Sequence, residues 1–247
     1  MPVTTLYNKR PSFRSMSCDY KLNGQEMGLY TWMFRDDVNW RKLALLESVN
    51  FSNKDKVNII QFAPSDGSEG YTQILSLLLH SPEDAEKFLP IQAYDINPDI
   101  VNSANKGYLN LNIGDIERLA KNGVNVEKCF PGSLQYYIEN KNSEKLIFKT
   151  FKVAEELTKK IKFNQGDMFK ILPQIKDDSN TVIFARNSIG YYDEKTREAF
   201  ISKASKVLKA GSLFIIGLLE EEWGLEYVMR RYGFKKVIRN VFRKGAL

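Results

Sequence analysis

The sequence predicts an α/β protein built on a doubly wound, largely parallel sheet. Three observations carry that expectation. Short β-rich apolar runs alternate with helix-period segments over about 190 residues. The early strands run into polar turn segments that lead straight into a helix, as parallel β-α units require. Hydrophobic residues make up 43% of the 247 residues and aromatics 12%, which is ample for one continuous core.

The elements follow in order. Residues 1–30 are polar and turn-rich, with Lys9, Arg10 and Arg14 among them. From Val38 to Val49 the positions Val38, Leu43, Leu45, Leu46 and Val49 recur at helical spacing, after Asp36 and Asp37, acids that a helix N-terminus favours. Lys56 to Phe62 is a strand, and Ala63-Pro64-Ser65-Asp66-Gly67-Ser68-Glu69-Gly70 is its exit loop. Tyr71 to His80 is an apolar-faced helix, with His80 a structural residue at its end. Pro90 to Asp95 is a second strand; Asn97 caps the next helix, Pro98 opens it, and it runs to about Lys106. Gly107 to Thr150 breaks the rhythm and is expected as an insertion. Ile161–Phe163, Thr181–Ala185 and Ser212–Leu218 are further strands. Asp193 caps a helix with Phe200, Ala204, Val207 and Leu208 on its inner face, stopped at Gly211. A last helix spans Glu222 to Tyr232, and Phe234 to Phe242 is the closing β segment.

Composition removes several function classes. Cys18 and Cys129 lack metal-ligand spacing, and His80 is the sole histidine, so zincin and multi-histidine centres are excluded and no metal is expected. The cysteine count fits a reducing cytoplasm. The longest apolar run, Leu213 to Leu219, is far short of the ~20 residues of a membrane span, and neither a signal peptide nor membrane insertion is expected. Thirty-six bases against 30 acids give +6, yet residues 230–244 alone hold seven bases and no acid. That run is expected to be a solvated face, with an acidic protein contact second; no nucleic-acid partner is expected.

Ligands of open α/β sheets bind beyond the carboxyl ends of the strands, so the residues there are the candidates. Gly67 and Gly70 let backbone approach a ligand after the first strand, without the Gly-Lys-Ser/Thr of a phosphate loop or a full Gly-x-Gly-x-x-Gly pattern. Asp95 closes the second strand, where a carboxylate can accept ribose hydroxyls; as a lone residue it is equally an exposed turn acid. The third and fourth strand ends carry Gly166-Asp167-Met168 and Arg186-Asn187-Ser188-Ile189-Gly190-Tyr191-Tyr192-Asp193.

The stretch Phe184-Ala185-Arg186-Asn187-Ser188-Ile189-Gly190-Tyr191-Tyr192-Asp193 resembles the Phe-x-Arg-Asn-x-x-x-Tyr-Phe-Asp segment of the CheR family, chemotaxis receptor glutamate methyltransferases that use S-adenosylmethionine. Thr31-Trp32-Met33-Phe34-Arg35-Asp36, Gly67-Ser68-Glu69-Gly70-Tyr71, Ala93-Tyr94-Asp95-Ile96 and Val241-Phe242-Arg243-Lys244 are similar to four further family stretches in the same order. The resemblance implies a Rossmann-like class I methyltransferase sheet with an antiparallel closing strand, over residues 53–247 with an insertion at about 107–152, preceded by a shortened N-terminal helical segment, 1–52. It implies S-adenosylmethionine as cofactor. Ala63, Gly67 and Glu69 would shape the methionine end, Asp95 would hold the ribose, and Asp167 and Met168 would flank adenine. Arg186, Asn187, Tyr191, Thr31 and Arg35 would surround the sulfonium and the acceptor, with Arg35, Tyr191 and Arg186 at the reacting centre. The implied acceptor is a carboxylate-bearing, chemoreceptor-like protein, and a monomer is expected. Alternatives are a methyltransferase of this fold with another protein or small-molecule acceptor, and a non-catalytic binder of S-adenosylmethionine. The chain departs from the family pattern at Ala63-Pro64, Ser68 and Asp167.

Overall fold

A computed structural model of the chain describes residues 21–22, 25–26, 31–143, 145–176 and 180–246. Lys9, Arg10, Arg14 and Cys18, together with most of the expected N-terminal segment before Thr31, lie outside the described residues. In chain order the elements are β1 (Lys21–Leu22), β2 (Gln25–Glu26), α1 (Trp40–Asn50), β3 (Asn58–Phe62), α2 (Ser68–His80), β4 (Ile91–Asp95) and α3 (Pro98–Asn105). The intervening region holds β5 (Tyr108–Leu111), α4 (Ile113–Lys121), α5 (Val126–Cys129), α6 (Ser133–Asn140), β6 (Lys149–Lys152) and α7 (Glu155–Thr158). The chain continues through β7 (Ile161–Gln165), α8 (Met168–Ile171), β8 (Thr181–Ala185), α9 (Glu194–Val207), β9 (Leu213–Ile216), α10 (Leu218–Glu222), α11 (Leu225–Arg231), β10 (Phe234–Ile238) and β11 (Val241–Lys244).

Seven strands form one sheet in the order β10-β11-β9-β8-β3-β4-β7. β7, β4, β3, β8 and β9 are parallel, and β11 joins β9 antiparallel. The α/β class with a mostly parallel sheet is therefore as expected from sequence. Strand side chains alternate between two apolar layers because successive Cβ atoms point to opposite faces. Val182 and Phe184 of β8 join one core with α1 and α2, while Ile183 and Ala185 join the other with α9 and α11. Met33, Phe34, Val38 and Trp40 share the first of these cores.

Local sequence accounts for most helix ends. Asn97 accepts the Asp99 amide at 2.9 Å with Pro98 in the first turn, and Asp193 accepts the Thr196 amide at 2.9 Å. α1 differs from expectation: Asn39 is its cap, its buried face is Trp40, Leu43, Ala44 and Glu47, and Leu45 and Val49 are exposed. The expected helix Glu222–Tyr232 is α11 and starts later, at Leu225, because Gly224 at φ +69° separates it from a preceding short helix, α10, that was not expected. The closing segment is a hairpin rather than one strand, turned through Arg239-Asn240, with Asn240 at φ +61°. The insertion forms the β5-β6 hairpin around α4, α5 and α6.

The basic run of residues 230–244 is largely paired. Arg230 and Lys236 meet Glu226, Arg231 meets Glu198, and Arg239 meets Glu221. Exposed pairs of this kind contribute about 0–1 kcal/mol each, as a solvated face would. Among the described residues no helix is long and apolar enough to cross a membrane.

Candidate functional site at the carboxyl ends of β3, β4, β7 and β8

The chain runs outward from β3 to β4 and β7, then crosses back to β8 and β9 on the other side of β3. This opens a crevice beyond the strand ends, where such sheets bind ligands. The loop after β3 is tightly wound. Ala63 and Ser65 have φ of +53° and +54°, and Gly67 has +97°. Non-glycine residues at positive φ cost energy and gather at functional sites. Ala63 donates its amide to Tyr94 O at 2.9 Å, and Asp66 accepts the Ser68 amide at 2.9 Å. Burial pushes the Asp66 carboxyl up to about 6. A Cβ on Gly67 would lie 2.7 Å from the Phe163 ring, so this turn also needs glycine for space.

Asp95, at the end of β4, is buried and accepts the Asn97 amide at 2.9 Å and backbone donation from Ser65 and Ile96. The β3 loop and the second strand end are thereby joined through one carboxylate. Burial raises its pKa against those hydrogen bonds. Asp167 caps α8 by accepting the Phe169 amide at 2.8 Å, and Met168 is buried in the second core.

The centre of the site is a buried charge network. The Arg186 guanidinium, with no exposed surface, donates to Glu69 and to Asp37 and lies 5.0 Å from the centre of the Trp40 ring. Trp40 stacks on Phe184, two residues before Arg186, at 6.3 Å. Glu69 accepts from Gln61 at 2.7 Å; burial raises its pKa while Arg186 opposes the shift. Asp37 also accepts the Leu218 amide at 3.1 Å, and its carbonyl accepts from Asn240 at 3.0 Å. One aspartate thus ties the segment before α1 to β8, to the start of α10 and to the β10-β11 turn.

Arg35 is held beside this network. Its carbonyl accepts from Trp40 Nε1 at 2.9 Å and its guanidinium stacks 4.7 Å from the Trp32 ring. Burial and repulsion from Arg186 lower its pKa, while Asp37, Glu69 and Glu220 act the other way. The preceding backbone is fixed by Thr72, which accepts the Phe34 amide at 3.1 Å, and by Asp115, which accepts the Met33 amide at 3.2 Å.

Of the residues selected from sequence, Arg35, Glu69 and Arg186 share this network, while Ala63, Gly67 and Asp95 share the loop and second strand end. Asn187 (φ +50°) and Tyr191, half-buried in a 3-10 turn, follow β8 directly. Thr31 is half-buried ahead of α1, and Asp167 and Met168 start α8. Asp37, Trp40, Gln61 and Glu220 were not selected. Glu220 follows β9, and applying the strand-end rule to that strand as well would have found it.

The fit to a polar ligand can be tested on the molecule itself. Gln61 Oε1, Ser65 Oγ, Asn187 Nδ2 and Ser188 Oγ, near the ends of β3 and β8, are buried without a hydrogen-bond partner among the described residues. Buried polar atoms are as a rule satisfied, so such a group fits a site completed by a polar ligand. No set of three His, Cys, Asp or Glu side chains able to hold a metal occurs among the described residues.

Sheet order and the crevice beyond the strand ends define an open, mostly parallel α/β fold with its ligand site at the carboxyl end of the sheet. The chain belongs to the CheR methyltransferase family: residues 30–223 match the model of its SAM binding domain. It is 28% identical over 211 residues to a chemotaxis protein methyltransferase of Borreliella burgdorferi, covering 81% of this chain and 68% of that one. Among solved structures, human N-acetylserotonin methyltransferase in complex with SAM is similar over 82% of this chain and 52% of its own, at 11% identity and a TM-score of 0.41. An O-methyltransferase family protein from Burkholderia thailandensis is similar over 83% and 56%, at 11% identity and a TM-score of 0.41.

Proposed function

We propose that this chain transfers a methyl group from S-adenosylmethionine to a carboxylate of a protein, with glutamates of a chemoreceptor-like partner as the acceptor class. The observation that carries the reading is the convergence of Arg35, Glu69, Arg186 and the Asn187–Tyr191 turn beside the Asp95-tethered loop at the carboxyl ends of the central strands.

S-adenosylmethionine supplies an electrophilic methyl on a sulfonium. Asp95 would hold the ribose hydroxyls, and Asp167 and Met168 would border the adenine. Ala63, Gly67 and Glu69 would shape the methionine end, with Thr31 and Asn187 near the sulfonium. Arg186 is an anchor: committed to Asp37 and Glu69, it fixes the acid that would receive the cofactor's amino group. Arg35 stands closer to the surface, and its guanidinium fork is suited to orienting an incoming carboxylate. Tyr191, half-buried at the end of the turn after β8, would orient the methyl through a weak C–H···O contact of its hydroxyl oxygen.

A glutamate with an ordinary pKa of about 4.3 is already ionised at neutral pH, so its oxygen attacks without a general base. The new O–C bond forms as the S–C bond breaks, and the electron pair goes to sulfur. The protein's contribution is alignment of the three atoms, which proximity and orientation can supply. Incubation with labelled S-adenosylmethionine and a chemoreceptor cytoplasmic fragment should place base-labile label on the fragment. Base-stable label would refute the ester. Full activity in Tyr191→Phe and Arg35→Ala would refute the reacting centre.

A further inference from the structure

We infer that Glu220 is a positioning residue for the cofactor site, a single buried carboxylate that sets the backbone of the Asn187–Tyr191 turn. This rests on the reading of the crevice as the S-adenosylmethionine site.

Glu220 lies in the first turn of α10 and has no exposed surface. Its Oε1 accepts the amides of Ser188 at 2.8 Å and Gly190 at 3.0 Å, and its Oε2 accepts those of Asn187 at 2.7 Å and Gly217 at 3.0 Å. The Gly217 bond is an ordinary helix cap. The other three are not, because they belong to the connection after the neighbouring strand β8. Four N–H groups converging on two oxygens need a full carboxylate, and such charge-assisted bonds are stronger than neutral ones.

The turn they hold is otherwise unfavourable. Asn187 sits at φ +50°, a conformation that persists only where its surroundings impose it. The side chain is fixed from the same element: Asn187 Oδ1 accepts the Leu219 amide at 3.1 Å. Gly217 makes room, since a Cβ there would lie 2.6 Å from Asn187 Oδ1. With the oxygen engaged, Asn187 Nδ2 is the end left buried without a partner among the described residues. Tyr191 closes the same turn. Glu220 therefore acts through Asn187 and Tyr191 and touches no ligand itself.

The test uses the full chain and S-adenosylhomocysteine as probe. Glu220→Gln keeps the size but loses one acceptor oxygen, leaving two of the four amides facing an NH2 group. Calorimetry at a temperature where both proteins are folded should show the Kd raised at least about tenfold. Phe151→Leu, buried in the β5-β6 hairpin outside the seven-stranded sheet, serves as a destabilised control and should stay within about twofold of wild type. Glu220→Gln binding as tightly as the control would overturn the inference, whereas a wild-type chain that binds no S-adenosylhomocysteine would overturn the cofactor reading instead. Amide hydrogen exchange on the wild-type chain decides the matter even if Glu220→Gln fails to fold. Asn187, Ser188 and Gly190 should exchange at least about a hundredfold slower than unstructured chain. Exchange at the unstructured rate would show that the carboxylate does not hold the turn.

Discussion

Asp37→Asn is expected to destabilise the protein far more than its position on an irregular segment suggests. The Arg186 guanidinium is fully buried, and Asp37 and Glu69 are its two anionic partners, of which Asp37 is 9% exposed. The carboxylate also accepts the Leu218 amide on its second oxygen. Asparagine has one acceptor oxygen, so either Arg186 or Leu218 loses its bond and faces an NH2 group. Removing one partner of a buried ion pair costs about 3–5 kcal/mol. The remaining Glu69 contact puts this case at the lower end, near ~3 kcal/mol, which for a domain of this size lowers Tm by about 6–12 °C. Calorimetric or circular-dichroism melting of the variant measures it directly. Asp36→Asn, an exposed neighbour on the same segment, is the control and should stay within about 0.5 kcal/mol. A melting point for Asp37→Asn within about 1 °C of wild type, or an equal loss in Asp36→Asn, would refute the account of Arg186 as a buried cation held by Asp37.

Glu47→Gln probes a second buried carboxyl, between α1 and α2, which burial pushes up to about 8 from an ordinary 4.5 against a hydrogen bond from Gln73. The folded state binds the proton more tightly than the unfolded chain, so wild-type stability falls as pH rises from about 4.5 to about 8, by roughly 4–5 kcal/mol over the whole window. Urea titrations should show Glu47→Gln gaining on wild type across that range; parallel pH profiles would count against a protonated Glu47. Gly67→Ala places a Cβ 2.7 Å from the Phe163 ring at φ +97°. A loss of about 2 kcal/mol is expected, a Tm drop of about 4–8 °C, and an unchanged Tm would mean that the β3 loop has room the geometry denies it.

The parts of the fold legible in the sequence are those dictated locally. Thr181–Ala185 is a strand in sequence and structure alike, because the apolar run Val182–Ala185 flanked by polar residues fits a central parallel strand. The caps Asn97 and Asp193 could be named in advance because a short polar side chain satisfies an amide two or three residues on. Other features depend on distant partners. Asp36 and Asp37 look alike in sequence, yet the first is exposed and the second meets Arg186, 149 residues away. α1 buries Glu47 on its inner face because Gln73 of α2 is there to receive it, so apolar spacing mistook Leu45 and Val49 for core. In the site, the strand-end rule led to Asp95, Asp167 and Arg186. The same rule applied to the end of β9 reaches Glu220, but its role was not legible there, because its partners, the amides of Asn187, Ser188 and Gly190, are backbone groups that no residue type announces.

Isothermal titration of the full chain with S-adenosylmethionine, S-adenosylhomocysteine and NAD decides whether the crevice at these strand ends is an S-adenosylmethionine site. Saturable one-to-one binding of the first two and none of NAD is expected. Heat from NAD with silence from both sulfur compounds would contradict the account.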